Sequence, residues 1–382
     1  MSAPVASSLD PIVLTQELIR CKSVTPADDG ALDVVERELL LLGFTVDRLE
    51  FDGTPNLFAR RGTSGPHLCF AGHTDVVPAG NGFWSSDPFA GDIHQEEIVG
   101  RGASDMKGAI SAFLAAVSRT SDDDLAAGSV SLLITGDEEG PATGGTVRVL
   151  EWMEQHGHIP DFCVVGEGTN VERIGDTIKV GRRGSLNAGI TVRGVQGHVA
   201  YPHRSVNPVH LLARFITELV TDPLDDGSEF FEPSSLQVTT VDVGNPATNL
   251  VPAVATGHVN IRFNDRHTGA SLSRRLREIA ARHSSAIELD ITISGEPFLT
   301  PPGASLQRLI ATIESVTGVT PALDTAGGTS DARFIAKYAP VAEFGLLSAT
   351  IHQADERVKL TDLATLADCY QAFISSFLRR KD

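Results

Sequence analysis

Four short apolar runs, at residues 68–71, 130–135, 162–165 and 341–344, each stop abruptly at glycine or polar residues. Runs of this length without polar alternation fit strands buried on both faces, as in sheets covered by helices on each side. Helical faces fall between them: Met106, Ile110, Phe113, Leu114 and Val117 share one, and Leu306, Leu309, Ile310 and Ile313 share another. Asp10-Pro11 predicts the start of a first helix, Gly43 stops a second that begins near Leu32, and a third closes the chain over residues 363–377. This alternation is that of an α/β protein. With 382 residues, 41% of them hydrophobic and 21% charged, the chain can fill two folded domains, and its composition is neither disordered nor collagen-like.

Between residues 181 and 294 the order changes to strand, helix, strand, strand, helix, strand. The strands are predicted at 185–192, 236–243, 256–263 and 287–293, and the helices at 208–220 and 270–283. That is the βαββαβ unit of ferredoxin-like folds. Inserted into a larger α/β chain, it predicts a separate domain of residues 181–294 and a discontinuous domain of residues 1–180 and 295–382.

Acidic residues outnumber basic ones by 49 to 31, a net charge of −18, which repels phosphate backbones and anionic headgroups. Neither nucleic acid nor a membrane is therefore an expected partner. The cysteines Cys21, Cys69, Cys163 and Cys369 form no C-x-x-C pair, so neither a disulfide framework nor a thiolate zinc site is expected. The start, MSAPVASSLDP, has no basic region followed by an apolar core, and no apolar stretch approaches the ~18 residues of a membrane span. A soluble cytoplasmic protein is the expectation.

Polar residues gather where the apolar runs end. His73 and Asp75 lie in AGHTDVVP, Asp105 in GRGASDMKG, Glu138 and Glu139 in TGDEEG, Glu167 in VGEG and His352 in ATIHQ. Ligands of open α/β sheets bind outside the carboxyl ends of the strands, which predicts that these groups share one crevice. Carboxylates so close together repel one another unless a cation lies among them. Two imidazoles and hard oxygens without thiolate suit zinc first, then cobalt or manganese. A single tetrahedral zinc needs three protein ligands, whereas His73, Asp105, Glu139, Glu167 and His352 number five. If Asp105 bridges two ions, the remaining four provide two for each. Asp75, two positions from His73 in extended chain, is suited to accept the imidazole's other N–H, and Glu138 is left as general base. Each group alone has an ordinary structural reading, for Asp105 an ion pair with Arg101 or Lys107; it is the recurrence after four runs that points to a site. His198, between glycine-flanked segments of the inserted domain, could donate to an oxyanion.

These residues resemble the co-catalytic zinc amidohydrolases, which include carboxypeptidases, aminoacylases, acetylornithine deacetylases and succinyl-diaminopimelate desuccinylases. HTDVVP, GRGASDMKG and DEEG look like the shared catalytic motifs. VGRRGS (180–185), VQGHVAYPH (195–203) and GGTSDARF (327–334) are similar to the desuccinylase branch. The resemblance implies a mixed-sheet catalytic domain of zinc-aminopeptidase type with the ferredoxin-like insert as dimerisation domain and lid. It implies that Asp105 bridges two metal ions, with His73 and Glu167 completing one site and Glu139 and His352 the other. It also implies a homodimer in which the histidine at position 198 serves the partner's active site. Leu346 and Ser348 stand where the desuccinylases carry Pro and Asn, removing a fixed φ and an amide.

The activity implied is hydrolysis of N-succinyl-L,L-2,6-diaminopimelate to succinate and L,L-diaminopimelate, in lysine and peptidoglycan precursor synthesis. Such an anionic small molecule needs local positive charge in an acidic protein. Arg182, Arg183 and Arg266 are fork-shaped donors for it, and Asn249, Gly328, Thr329 and Ser330 can add neutral hydrogen bonds. The rival readings are an acetylornithine deacetylase or dipeptidase and, in a different class, a non-catalytic metal or amino-acid binding protein. A serine nucleophile is disfavoured because no G-x-S-x-G elbow is present.

Overall fold

The run at 68–71 lies within the strand His67–His73, every residue of which is buried in the computed structural model, which describes residues 8–379. Residues 1–7 of the start read above for a leader lie outside the described residues. Ser129–Thr135 and Phe162–Val165 flank this strand in parallel and are buried throughout. Val341–Glu343 continues the sheet in parallel beside Phe162–Val165, followed by Thr177–Lys179 and Ala322–Asp324. On the other side the antiparallel strands Thr54–Arg61 and Thr45–Phe51 complete eight strands, so the sheet is mixed. The hairpin joining these two turns at Asp52 and Gly53, both with positive φ (53° and 80°), as a two-residue type I′ turn requires.

Helix Leu360–Leu378 packs against both Gly108–Arg119 and Ala304–Thr317 beside the sheet. Leu360–Leu378 buries Leu363, Leu366, Tyr370, Phe373 and Phe377. Phe70, from the central strand, stacks on Phe113 at 4.3 Å and meets Tyr370 edge-on at 5.7 Å. Each such side chain contributes ~1.5–3 kcal/mol through apolar area removed from water. These elements belong to a unit comprising the chain as far as Val180, Thr300–Asp324, and the chain from Ser330 onward.

His67, at the start of the central strand, is 5% exposed and its Nε2 lies 2.8 Å from Ser131 Oγ. Burial, with help from Arg60, pushes its pKa down to about 4. The unfolded chain therefore binds a proton that the folded one refuses, and the stability held above pH ~6.5 is lost as pH falls through 4. Over this window the shift amounts to about 3 kcal/mol. Urea titrations at pH 7 and pH 4 should show His67→Gln losing less stability than the parent; equal losses would mean His67 takes no part.

The second unit comprises Gly181–Leu299 and Thr325–Thr329. Its elements run Gly184–Arg193, helix Pro208–Thr221, Ser235–Asp242, Val254–Phe263, helix Gly269–His283 and Ile287–Gly295, the βαββαβ order read from the sequence. The sheet order is Ser235–Asp242, Val254–Phe263, Gly184–Arg193, Ile287–Gly295, antiparallel throughout. Alternate residues Leu186, Ala188, Ile190 and Val192 face the core, packed with Phe215 and Leu276 from the two helices. Among the described residues no helix is long and apolar enough to cross a membrane.

Candidate metal centre

The parallel register lines up the strand ends. Ala71 pairs with Val165, so His73 and Glu167 stand two residues beyond the same rung. Glu138 and Glu139 follow Ser129–Thr135, and His352 lies in the loop after Val341–Glu343. Asp105 comes from the turn before helix Gly108–Arg119, at a cis Asp105–Met106 peptide. Met106 is fully buried over two glycines: a Cβ at Gly72 or at Gly166 would come within 2.6 Å of its Cε. The absence of side chains at 72 and 166 seats this turn against the strand ends that carry His73 and Glu167.

Asp105 faces an imidazole on each side. Its Oδ1 is 3.2 Å from His73 Nε2 and its Oδ2 is 3.4 Å from His352 Nε2. Glu167 lies 3.7 Å from His73 Nε2, and Glu139 lies 2.8 Å from His352 Nε2. Two trios result, His73–Asp105–Glu167 and Asp105–Glu139–His352, each with one donor atom per residue within 4.8 Å of the others. His73, Glu138 and Glu139 form a third such group.

The electrostatics of the cluster call for positive charge. Burial and the carboxylates of Asp105 and Glu138 push Glu167 well above the usual carboxylate range. Burial, reinforced by Asp331, Glu139 and Asp105, pushes Glu138 up to about 8. Against burial, the hydrogen bond to Asp105 and the charges of Glu167 and Asp75 hold His73 well above an ordinary imidazole. Hydrogen bonds to Asp105 and Glu139 raise His352 to about 10. Protonated imidazoles thus balance the acids, as a cation would. The donor set is nitrogen and hard oxygen with no sulfur, which fits zinc, cobalt or manganese.

The surroundings differ from the sequence expectation at Asp75. His73 Nδ1 is 2.8 Å from the backbone carbonyl of Asp75, while the Asp75 carboxylate is 3.6 Å away. That carboxylate instead accepts the N–H groups of Glu138 (3.2 Å) and Glu139 (3.1 Å), so it orients the acid pair. Burial raises it to about 6. The alternative partners considered for Asp105 are engaged elsewhere: Lys107 Nζ donates to Cys21 O at 2.7 Å, and Arg101 Nη1 to Glu356 at 2.6 Å. No motif in the sequence marks Glu356, which lies in a loop and is fully buried against the Asp105 turn. Leu346 is fully buried, and Ser348 N–H donates to Asn170 O at 2.9 Å, so Asn170 anchors the loop that lacks Pro and Asn.

The model of peptidase family M20/M25/M40 matches residues 69–376, most of the chain. The chain belongs to this family. The succinyl-diaminopimelate desuccinylase of Gluconacetobacter diazotrophicus is 58% identical over 377 residues, covering 97% of this chain and 98% of that protein. The M20 metallo-carboxypeptidase Sso-CP2 of Sulfolobus solfataricus shares the fold, with a TM-score of 0.78 at 18% identity over 97% of this chain and 99% of the other. So does YXEP of Bacillus subtilis, a dinuclear metal binding M20 peptidase, with a TM-score of 0.71 at 15% identity over 96% of each chain.

In this M20/M25/M40 member the other candidates lie around the second unit. His198 is exposed, and its Nδ1 accepts the N–H of Ala200 at 3.1 Å. Asn249 is exposed, with its carbonyl bonded to Val199 N–H at 3.1 Å. Arg182 is 7% exposed and donates to the carbonyls of Ala326 (3.5 Å) and Gly328 (3.2 Å), so its fork supports the glycine-rich loop. Arg183 lies 3.8 Å from Glu232, and Arg266 is exposed. Gly328 is exposed and Thr329 half-buried. Ser330, in the first unit, is buried and donates to Glu343 Oε1 at 2.5 Å.

Proposed function

We propose that the chain hydrolyses the amide of N-succinyl-L,L-2,6-diaminopimelate, releasing succinate and L,L-diaminopimelate for lysine and peptidoglycan precursor synthesis, as a cytoplasmic enzyme. Near full-length identity to proteins carrying the desuccinylase name supports the substrate. Asp105, with an imidazole and an acid on each side, carries the reading of the site as a two-metal centre. His73, Asp105 and Glu167 would hold one ion and Asp105, Glu139 and His352 the other, zinc being the first choice. Divalent ions held there supply positive charge that polarises the scissile carbonyl and acidifies water.

The chain's own groups do the rest. The bond from His73 Nδ1 to the Asp75 carbonyl fixes the ring so that Nε2 points into the cluster. Asp75 holds the backbone of Glu138 and Glu139, keeping the two side chains to separate tasks. Glu138, a carboxylate next to the ligand Glu139 but in neither trio built on Asp105, takes the proton of the attacking water and delivers it to the leaving amine. His198 donates to the oxyanion, from the partner subunit of a homodimer formed through the second unit. Arg183 and Arg266 bind substrate carboxylates, Arg182 keeps Gly328 and Thr329 presented, and Asn249 and Ser330 complete the polar lining.

Metal analysis with turnover before and after chelation tests this reading. The expected result is two equivalents per chain, loss of succinyl-diaminopimelate hydrolysis on chelation, and recovery with zinc or cobalt. Turnover that survives removal of the metal would end the two-metal reading. Faster turnover of acetylornithine or a dipeptide would transfer the chain to a rival activity, and binding without turnover would make it a binding protein.

A further inference from the structure

We propose that Glu356, paired with Arg101, is a positioning residue that fixes the Asp105 turn and the His352 loop relative to each other; this rests on the reading of the cluster as a metal centre. Glu356 is fully buried and Arg101 is 2% exposed. One carboxylate oxygen of Glu356 accepts the backbone N–H groups of Ser104 (2.9 Å) and Asp105 (3.0 Å), and the other accepts Arg101 Nη1 at 2.6 Å. The Gly100 N–H donates to the Glu356 carbonyl at 2.8 Å. Arg101 Nη2 in turn lies 3.4 Å from the carbonyls of His352 and of Pro78. One ion pair thereby fastens the backbone of the shared ligand, the backbone of His352 and the segment that follows His73 and Asp75.

The choice of residues argues for positioning over stability. A buried ion pair gains little against a well-packed apolar pair, because the desolvation of both charges offsets their attraction. What an apolar pair cannot supply is direction. A carboxylate aimed at two consecutive N–H groups sets the orientation of the Asp105 peptide, and a planar guanidinium reaching a carboxylate and a carbonyl at once sets the distance to the His352 loop. Neither Glu356 nor Arg101 is among the candidate metal ligands, so both act through backbone that presents ligands.

The test titrates metal-free wild-type and Glu356→Gln protein with Co²⁺, following the visible absorption of the bound ion, with Tm, kcat and KM measured alongside. The glutamine keeps the shape but cannot satisfy two amides and the guanidinium together. We expect two equivalents in the wild type. In the variant at least one equivalent should bind about 10–100-fold more weakly with altered absorption, and kcat should fall by a similar factor at little-changed KM. A variant with lower Tm but wild-type cobalt affinity and spectrum would reduce the pair to a structural element and overturn the inference while leaving the metal centre standing. Wild-type protein that takes up no Co²⁺ would overturn both. Should Glu356→Gln fail to fold, the double variant Arg101→Met/Glu356→Leu, which removes both charges, carries the same titration and the same two outcomes.

Discussion

Glu138→Gln is expected to lower kcat by about 10²–10⁴ while leaving two metal equivalents bound and KM nearly unchanged. The carboxamide keeps the size and hydrogen-bonding reach of the carboxylate but cannot accept a proton from water. The backbone N–H of Glu138 still meets Asp75, so the neighbouring Glu139 keeps its place. Glu138 belongs to neither trio built on Asp105, which is why metal content is the control for this variant. At about 1.4 kcal/mol per tenfold, the loss corresponds to roughly 3–5 kcal/mol of transition-state stabilisation. Steady-state kinetics on succinyl-diaminopimelate beside elemental analysis reads both quantities. An undiminished kcat would remove Glu138 from the mechanism, and a fall matched by lost metal would reassign it as a ligand.

Asp105→Ala should cost metal as well as turnover, because this carboxylate lies 3.2 Å from His73 and 3.4 Å from His352. Each trio would keep two protein donors, and the alanine variant should retain well under two equivalents after gel filtration. Losing electrostatic stabilisation worth several kcal/mol implies a drop in kcat/KM beyond roughly 10³. Glu167→Ala and Glu139→Ala are the comparison, since each touches one Asp105 trio and should leave the other ion bound. Two ions retained with normal affinity in Asp105→Ala would show that the carboxylate is not shared.

The sequence was most readable where one physical demand acts alone. The central strands are buried on both faces, so unbroken apolar runs marked them, and the elements of the βαββαβ unit fall within about two residues of the reading. Thr45–Phe51 was not read as a strand because exposure and charge dilute its apolar signal, and Thr54–Arg61, which has no exposed residue, because Pro55, Asn56, Arg60 and Arg61 interrupt its apolar residues, although Asp52-Gly53 is a strong two-residue hairpin sequence. Thr177–Lys179 and Ala322–Asp324, three residues each, carry too few side chains to show a period. At the site, residue types followed strand ends and were legible; the direction of each carboxylate was not. Asp75 sits at the spacing expected of a partner for His73 yet spends its oxygens on two backbone amides. Arg182 has the chemistry of a substrate donor but is turned toward the carbonyls of its own unit. Nothing in a linear chain tells a carboxylate whether a side chain or a loop's backbone will be its nearest donor.

The seating of Met106 limits how such a centre can be altered. Two bare α-carbons on different strands receive the same methyl group; an alanine at 72 would meet chiefly the yielding end of the thioether, whereas one at 166 would also strike the Phe70 ring, which cannot bend away. Engineering that leaves all seven polar groups untouched could thus still detune the reaction from beneath. A redesign of specificity therefore keeps glycine at 166, where thioether and ring leave no room for a methyl group.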